Sequence, residues 1–312
     1  MSELTPRAVR PSLLERAAAA YDLGADMRMA QPAVAEPAVG SAPIIDLPFA
    51  RPQPVISPAP PSRTDGVAAI DRDLLAARGM LVPGAAIGVL TEEFRLVKRQ
   101  LLTTARTVRA TDADLSRTIL VCSARPNDGK TYCAVNLAIS LAAERDVEVL
   151  LIDADFAKPD VMARLGLSEG PGLLDALADP AIEIERCVVR TDIAHLSLLP
   201  CGTRTNADTE LVASARTGEL VAHLLAADPT RILIFDSPPV LAASPAGVLA
   251  SHVGQVMLVV RADRTSDGDL REAITLLDAC EHIQLLLNAV AFAPGGRRFG
   301  SYYGYAQQED AI

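Results

Sequence analysis

The chain contains no tryptophan, and its aromatic residues make up only 4% of 312 positions. Basic residues are also outnumbered, because 29 lysines and arginines stand against 39 aspartates and glutamates, which gives a net charge of −10. A nucleic-acid-binding surface normally needs a basic stripe and aromatic platforms for base stacking. We therefore expect no nucleic acid among the partners of this protein.

Long apolar runs and paired cysteines are missing as well. No stretch approaches the roughly 18 apolar residues that span a bilayer, and the N-terminus alternates in charge where a signal peptide has an apolar core. These absences predict a cytoplasmic protein. The cysteines are odd in number and lack C-x-x-C spacing, which favours buried, reduced thiols over disulfides or metal ligands. They are Cys122, Cys133, Cys187, Cys201 and Cys280.

Half of the residues are hydrophobic, which is ample for the core of one large or two small domains. Residues 1–24 include a capping serine followed by strong helix formers, so we expect a short helix there. Residues 25–68 are rich in proline and alanine and poor in charge, which predicts a disordered linker, either a passive tether or a docking strip for a partner. We expect one folded domain over residues 69–292 and a flexible tail over 293–312.

Two helical patterns open the folded part. An amphipathic stretch lies between Ile70 and Leu81, and a stronger pattern follows over residues 91–107, with Thr91 as its expected N-cap. Three charged residues of this second helix fall near one face, away from its apolar residues. They are Glu92, Arg95 and Lys98. Taken alone, such a charged face is typical of a solvated surface.

Near-continuous apolar runs recur along the rest of the chain. They are Val147–Ile152, Leu196–Leu199, Ile232–Phe235, Val256–Val260 and Ile283–Leu287. Helical patterns separate most of them, and the helix over Cys133–Ala143 is almost entirely apolar, hence buried. Strands that are hydrophobic on both faces and alternate with helices indicate a parallel sheet covered on both sides. The sequence therefore predicts a doubly wound α/β domain with a mostly parallel sheet, whose ligands bind beyond the carboxyl ends of the strands.

The segment from Thr118 to Thr131 combines a β-branched apolar run, a loop of turn residues and the start of the buried helix. Such a loop aims backbone N–H groups and the positive end of the helix dipole at one point, where an anion binds. The spacing Ala124-x-x-x-x-Gly129-Lys130-Thr131 departs from the usual phosphate-binding pattern in its first glycine. We expect Lys130 to reach the β- and γ-phosphates of a nucleotide and Thr131 to bind Mg²⁺. The alternative is an ordinary strand-to-helix turn.

Carboxylates follow two of the buried strands. Asp153 and Asp155 come at the end of one apolar run, and Asp236 follows another. A single aspartate at a strand end is usually a helix cap or a turn residue. Three that converge with a Gly-Lys-Thr loop fit Mg²⁺, which prefers oxygen ligands and typically takes one or two carboxylates together with substrate phosphates. The pattern indicates a metal–nucleotide site.

Together these residues resemble the Walker A, A′ and B motifs of the bacterial tyrosine kinases, phosphotransferases built on the MinD/ParA-like P-loop fold. The resembling segments are Ser123–Thr131, Asp153–Pro159, Asp236–Pro239, Thr91–Arg95, Leu199–Gly202, Asn206–Leu211 and Leu286–Asn288. The resemblance covers roughly residues 85–305. Ser12–Ala17 and Pro294–Tyr305 look most like the exosortase A-associated tyrosine autokinases, which are encoded with exopolysaccharide assembly systems.

This resemblance implies a tyrosine autokinase that uses ATP and Mg²⁺, phosphorylates its own tail in trans and regulates exopolysaccharide synthesis or export. The implied acceptors lie among glycines, in a tail that would otherwise be a loose surface segment. They are Tyr302, Tyr303 and Tyr305. The charged helix over 91–107 resembles the family's oligomerisation motif. A membrane-embedded polysaccharide chain-length determinant protein is the implied partner, and it would hold the chain at the inner face of the plasma membrane.

The resemblance also implies a role for each motif residue. Asp153 would orient the acceptor hydroxyl or take its proton, while Asp155, Asp236 and Thr131 would hold Mg²⁺. The implied nucleotide-binding positions are Pro126, Asn127, Asp128, Gly129, Lys130, Thr131, Tyr132 and Asn288. Two departures stand out. Ala157 and Lys158 occupy a place where many members carry arginine, and Asn127 replaces a loop glycine, although asparagine tolerates left-handed geometry better than most residues.

Two other functions compete with the kinase. One is a MinD/ParA-like regulatory ATPase, whose class carries a second lysine early in the loop, where this chain has Arg125. The other is a non-catalytic adaptor that binds ATP to gate assembly with a membrane-embedded partner. A GTPase is disfavoured because the segment Asn288–Ala291 lacks the Asn-Lys-x-Asp guanine selector.

Overall fold

The computed structural model describes residues 66–290. Several expectations lie outside these residues: the helix within 1–24, nearly all of the linker over 25–68, and the tail over 293–312 with its three tyrosines. Within the described part, no helix combines the length and the hydropathy that crossing a membrane requires.

From residue 66 onward, two helices precede the sheet. Helix α1 (Arg72–Ala77) lies within the expected amphipathic stretch, and α2 (Val89–Arg109) contains the expected 91–107 and extends beyond it at both ends. The expected N-cap at Thr91 was wrong. Gly88 is the N-cap, and Thr91 lies in the first turn, where its hydroxyl accepts the Gly88 N–H at 3.4 Å. Glycine is tolerated at an N-cap although it has no side chain. The hydroxyl of Thr91, inside the helix, accepts the N–H of this glycine instead.

Lys98 does not share the exposed charged face expected for it, because the residue is only 7% exposed. Six residues after Glu92, it is rotated about 120° from that residue around the helix axis. Its Nζ atom donates to the Ser140 carbonyl oxygen at 2.9 Å and pairs with Glu144 at 2.7 Å. Lys98 therefore fastens α2 to the next helix, whereas Glu92 and Arg95 form a partly exposed ion pair with each other.

In the part of the chain that the structure describes, the central sheet has seven strands. They are β1 (Thr118–Ser123), β2 (Glu148–Asp153), β3 (Val189–Arg190), β4 (Leu196–Leu199), β5 (Arg231–Asp236), β6 (Gln255–Arg261) and β7 (Ile283–Asn288). Their order is β3-β4-β2-β5-β1-β6-β7, and all neighbours are parallel except β3 and β4. The expected mostly parallel sheet is confirmed. Strand β3 was not expected, since two residues are too short to show a periodic pattern.

Helices cover both faces of the sheet. After α2 they are α3 (Lys130–Ala142), α4 (Val161–Arg164), α5 (Leu173–Ala178), α6 (Asp208–Val212), α7 (Arg216–Ala227), α8 (Pro245–Ala250) and α9 (Asp267–Leu276). One apolar core joins the sheet to α1–α4, and a second joins its other face to α5–α9. All five cysteines are free and buried, which confirms the expected reduced thiols.

The chain ahead of α2 is fastened to the sheet and to α3. Ala68 forms a parallel bridge with Thr191, so ordered pairing begins one residue before the expected domain boundary at 69. The N–H of Leu81 donates to Oδ1 of Asn136 at 2.7 Å, and the Asn136 side chain is fully buried. This hydrogen bond connects the segment to the helix that follows the phosphate loop.

Strand β7 forms one edge of the sheet. Its side chains alternate in burial, and Leu285 and Leu287 are 53% and 63% exposed. The neighbouring Leu286 instead packs against the core on the α1–α4 face. The strand contains no charged residue.

Replacing Asn136 by alanine should lower the free energy of unfolding by about 1–3 kcal/mol, because the buried Leu81 N–H loses its acceptor. Urea unfolding followed by circular dichroism measures the change. Thr103→Ala is a suitable control, since that hydroxyl is exposed on α2 and should change stability by no more than about 0.5 kcal/mol. Equal stabilities of the two variants would contradict the importance of the Leu81–Asn136 bond.

Candidate functional site

Three parallel strands end, and one helix begins, at the same edge of the sheet. Strand β5 lies between β1 and β2, and in the register of β2 and β5 Asp153 is paired with Asp236. The Nζ atom of Lys130, in the first turn of α3, lies 2.5 Å from Oδ2 of Asp155. The structure thus brings together four residues that are far apart in the sequence: Lys130, Asp153, Asp155 and Asp236.

The loop between β1 and α3 has a left-handed backbone at two positions. Gly129 is the N-cap of α3 and has a φ of 99°, and Asn127 has a φ of 67°. Asparagine therefore adopts here the left-handed conformation that it was expected to tolerate. Among the described residues, no side chain caps the first turn of α3. The N–H groups of Lys130, Thr131 and Tyr132 are therefore available to an anion, at the positive end of the helix dipole.

Two of the expected nucleotide-binding side chains are engaged elsewhere. The buried carboxylate of Asp128 accepts the N–H of Arg125 at 3.1 Å and the hydroxyl of Thr265 at 3.3 Å. The Tyr132 hydroxyl donates to the Gly79 carbonyl oxygen at 2.7 Å. Asp128 and Tyr132 would therefore meet a nucleotide only through their backbone N–H groups. Pro126 has no N–H and contributes a fixed backbone angle instead.

The end of β6, the start of α9 and the segment between them hold this loop in place, which sequence reasoning missed. Arg261 donates to the Asn127 carbonyl oxygen at 3.4 Å, and Asp269 pairs with Arg125 at 2.8 Å. Arg261 ends β6 at the same edge of the sheet, so inspection of the strand ends would have found it. Asp269 belongs to a helix-capping motif with Ser266, but no motif marks Thr265 or Asp269 as a partner of the loop, because those contacts depend on the path of the chain.

Lys130 carries its positive charge into this site. Burial acts to lower its pKa, but the carboxylates of Asp236 and Asp155 outweigh that effect and raise the pKa above its ordinary value. The Nζ atom also lies 3.4 Å from the Thr131 hydroxyl oxygen. The lysine therefore stays charged and offsets part of the buried negative charge.

Asp153 is fully buried and organises the turn after β2. Its Oδ1 accepts the N–H of Asp155 at 3.2 Å, and its Oδ2 accepts the N–H groups of Asp160 and Val161 at 3.0 Å each. Burial and the charge of Asp236 raise its pKa to about 8 in spite of these donors. Such a carboxylate takes up a proton more readily than an ordinary aspartate does.

Asp236 is the least compensated group of the site. Its side chain is fully buried, and neither carboxylate oxygen has a hydrogen-bond partner among residues 66–290. Burial raises its pKa to about 6, although the charge of Lys130 and the nearby Thr131 hydroxyl, which does not meet hydrogen-bond geometry, oppose the change. Buried polar atoms are nearly always hydrogen-bonded, so two unpartnered oxygens beside Thr131 and Asp155 fit a cation ligand.

The oxygen donors Thr131, Asp155 and Asp236 suit Mg²⁺, which keeps several waters and is often completed by substrate phosphates. Across the described part of the chain, no group of three or more histidines, cysteines, aspartates or glutamates is arranged to hold a metal by itself. With two carboxylates and one hydroxyl, the set has the ligand types of a magnesium ion that is bound together with a nucleotide.

Replacing Asp236 by asparagine should stabilise the nucleotide-free protein, and increasingly so as the pH rises. The folded-state pKa is raised from 3.8 to about 6, so between these values the folded state holds a proton that the unfolded state releases. The stability of the wild type then falls as pH rises through this window. Above about pH 6 the variant should gain on the order of 1–3 kcal/mol, because one pKa unit corresponds to about 1.4 kcal/mol.

Urea unfolding at a series of pH values measures this gain. The exposed Glu272 provides a matched control, and Glu272→Gln should show no comparable trend. A gain for Asp236→Asn that is the same at pH 4 and pH 8 would mean that the ionised carboxylate is not its cause.

No family model matches the chain. It is 30% identical over 224 residues to the tyrosine-protein kinase YwqD of Bacillus subtilis (strain 168), a match that covers 71% of this chain and 91% of YwqD. It is 32% identical over 198 residues to the tyrosine-protein kinase wzc of Salmonella typhimurium (strain LT2), which covers 62% of this chain. The chain spans only about a quarter (27%) of the length of wzc.

The crystal structure of the VpsO kinase domain has a similar fold. The two chains are 29% identical with a TM-score of 0.51, and the match covers 63% of this chain and 97% of that one. The match to YwqD extends over nearly all of that relative. The chain therefore belongs to the family of bacterial tyrosine-protein kinases.

Proposed function

We propose that this chain is an ATP-dependent protein-tyrosine autokinase that phosphorylates the C-terminal tail of another copy of itself, at Tyr302, Tyr303 and Tyr305. The observation that carries the proposal is the buried, unpartnered carboxylate of Asp236 beside the Lys130–Asp155 ion pair. This negative site lies where the uncapped first turn of α3 offers donors to phosphate oxygens. Such a juxtaposition of cation ligands and anion donors suits a magnesium nucleotide.

Phosphoryl transfer depends on positioning and on the neutralisation of charge. The N–H groups at the start of α3 would bind phosphate oxygens, and Lys130 would bind the β- and γ-phosphates. Thr131, Asp155 and Asp236 would hold Mg²⁺, which supplies the positive charge that offsets the phosphate oxygens. The burial of these carboxylates costs free energy in the nucleotide-free protein. In the complex they would have Mg²⁺ as a partner.

The acceptor tyrosine needs a base, because an ordinary phenol has a pKa near 10. Asp153, with its pKa raised to about 8, is better matched to that proton than a solvated aspartate would be. In the transfer, the bond from the γ-phosphorus to the ADP oxygen breaks, a bond to the tyrosine oxygen forms, and the hydroxyl proton passes to Asp153. Since Asp153 is fully buried, the turn over residues 155–161 has to move before the hydroxyl can reach it.

We place this kinase in a homo-oligomer at the inner face of the plasma membrane, with a membrane-embedded polysaccharide chain-length determinant protein as its partner. The partly exposed Glu92–Arg95 pair on α2 supports an interface between copies, whereas the buried Lys98 supports the fold of each copy. A role in exopolysaccharide synthesis or export rests on the resemblance of Ser12–Ala17 and Pro294–Tyr305 to the exosortase-associated autokinases.

One observation favours a second candidate, an adaptor that binds ATP without transferring phosphate. The proposed base, Asp153, has no exposed surface and already accepts three backbone N–H groups. In this second candidate, Asp153 shapes the site through these bonds and takes no proton. The two candidates differ in whether phosphotyrosine forms on the purified protein.

Lys130→Met should abolish phosphotyrosine on the purified full-length protein incubated with ATP and Mg²⁺, because the charge that binds the β- and γ-phosphates is lost. Mass spectrometry of tryptic peptides measures the modification. Arg271→Met, which removes an exposed positive charge from α9, should leave it unchanged. Phosphotyrosine that persists in Lys130→Met would refute the role of the lysine, and a wild type that binds ATP but never carries phosphotyrosine would favour the adaptor.

A variant with Tyr302, Tyr303 and Tyr305 all changed to phenylalanine should lose its own labelling but remain able to phosphorylate another copy. Mixed with Lys130→Met protein, which keeps the tail and lacks activity, it should place phosphotyrosine on the Lys130→Met chain. Tyr21→Phe is the control and should label normally. Undiminished labelling of the triple variant would contradict the tail assignment, and an unlabelled Lys130→Met chain in the mixture would contradict transfer in trans.

A further inference from the structure

Asn288, at the end of β7, contacts the phosphate loop directly. Its Nδ2 donates to the carbonyl oxygen of Asp128 at 2.9 Å. A Cβ atom added to Gly129 would lie 2.1 Å from this same Nδ2 atom. The amide therefore fills the space beside Gly129 that any side chain at that position would need.

The orientation of this amide is fixed from its other end as well. Its Oδ1 accepts the N–H of Ala289 at 2.9 Å, and Ala289 has a left-handed φ of 54°, which is unfavourable for a residue with a side chain. The backbone carbonyl of Asn288 accepts the N–H of Ala262 at 3.2 Å. Because donor and acceptor of the amide both have partners, a reversed amide would lose both bonds.

The contact with Asp128 decides where the next N–H group of the loop points. In a planar trans peptide, the carbonyl of Asp128 and the N–H of Gly129 point in opposite directions. With the carbonyl held on the β7 side, the Gly129 N–H is turned away from β7 and left for a phosphate oxygen. Arg261 holds the preceding carbonyl, that of Asn127, at 3.4 Å. Two successive carbonyls are thus engaged by side chains at the ends of β6 and β7.

We propose that Asn288 is a positioning residue for nucleotide binding, which shapes the phosphate loop through Asp128 and Gly129 instead of contacting the nucleotide base. This inference rests on the proposed function, since it concerns the same site. It also accounts for a loop that has alanine at position 124 and asparagine at position 127. These residue types define the loop conformation less well than the usual pattern does, and hydrogen bonds from outside the loop fix it instead.

The test compares two ligands, Mg²⁺-ATP and Mg²⁺-tripolyphosphate, which share three phosphates but differ in the nucleoside. Isothermal titration calorimetry with the full-length protein gives both affinities. In Asn288→Ala, we expect both to weaken by the same factor, about tenfold, because a carbonyl that is no longer held leaves the Gly129 N–H misdirected. Asn288→Ser is a second, smaller change should the alanine variant fail to fold.

Gln284→Ala is the matched control. This amide lies on the same strand and bonds to Thr104 and Gln255, far along β7 from the loop, so its loss should leave both affinities unchanged. Weaker binding of ATP alone in the Asn288 variants would make Asn288 a base contact and overturn the inference, as would unchanged binding of both ligands. A wild type that binds neither ligand would instead refute the proposed function itself.

Discussion

Asp153 and Asp236 lie side by side on β2 and β5, fully buried, and Lys130 approaches them from the start of α3. Taking carboxylates out of water is unfavourable unless they gain hydrogen bonds or a counter-charge. Asp153 gains three backbone donors, but the oxygens of Asp236 gain none among residues 66–290. Burial of these carboxylates therefore lowers the stability of the folded protein at one edge of its sheet. The burial of the apolar strands has to supply enough stabilisation to offset this loss. In the proposed function a bound cation and phosphates would reduce that loss, so the instability of the empty site and its affinity for ligand would have the same cause.

The phosphate loop shows how neighbouring elements can replace the flexibility of glycine. A loop with several glycines can approach an anion closely because its backbone is free to adapt. Here Asn127 adopts the left-handed conformation itself, while Arg261, Thr265 and Asn288 hold the loop from β6, β7 and the segment between β6 and α9. A loop fixed in this way pays less conformational entropy when it binds a ligand. Its geometry depends, however, on strands that lie more than a hundred residues away in the sequence.

Sequence patterns predicted those features that follow from burial and topology. Strands β2, β5 and β6 were recognisable because both faces of each are apolar, and parallel pairing then placed Asp153 and Asp236 at a common edge. Features set by the detailed path of the chain were not predictable. Lys98 lies among the charges of α2 in sequence yet is turned inward to Ser140, and Asp128 and Tyr132 sit within a phosphate-binding pattern yet direct their side chains to Thr265 and Gly79. Periodicity indicates which face of an element is apolar, but it does not show which polar side chain finds a partner across the fold.

Among residues 66–290, strand β7 is paired on one side only; it has two exposed leucines, Leu285 and Leu287, and no charged residue. Natural proteins usually protect such an edge with lysine, proline or a bulge, since its free N–H and C=O groups are a template for another strand. Within β7 none of these protections is present in the sequence. If copies of the protein add strands to one another at high concentration, the addition would therefore begin at β7. The buried strands of the sheet offer no such edge.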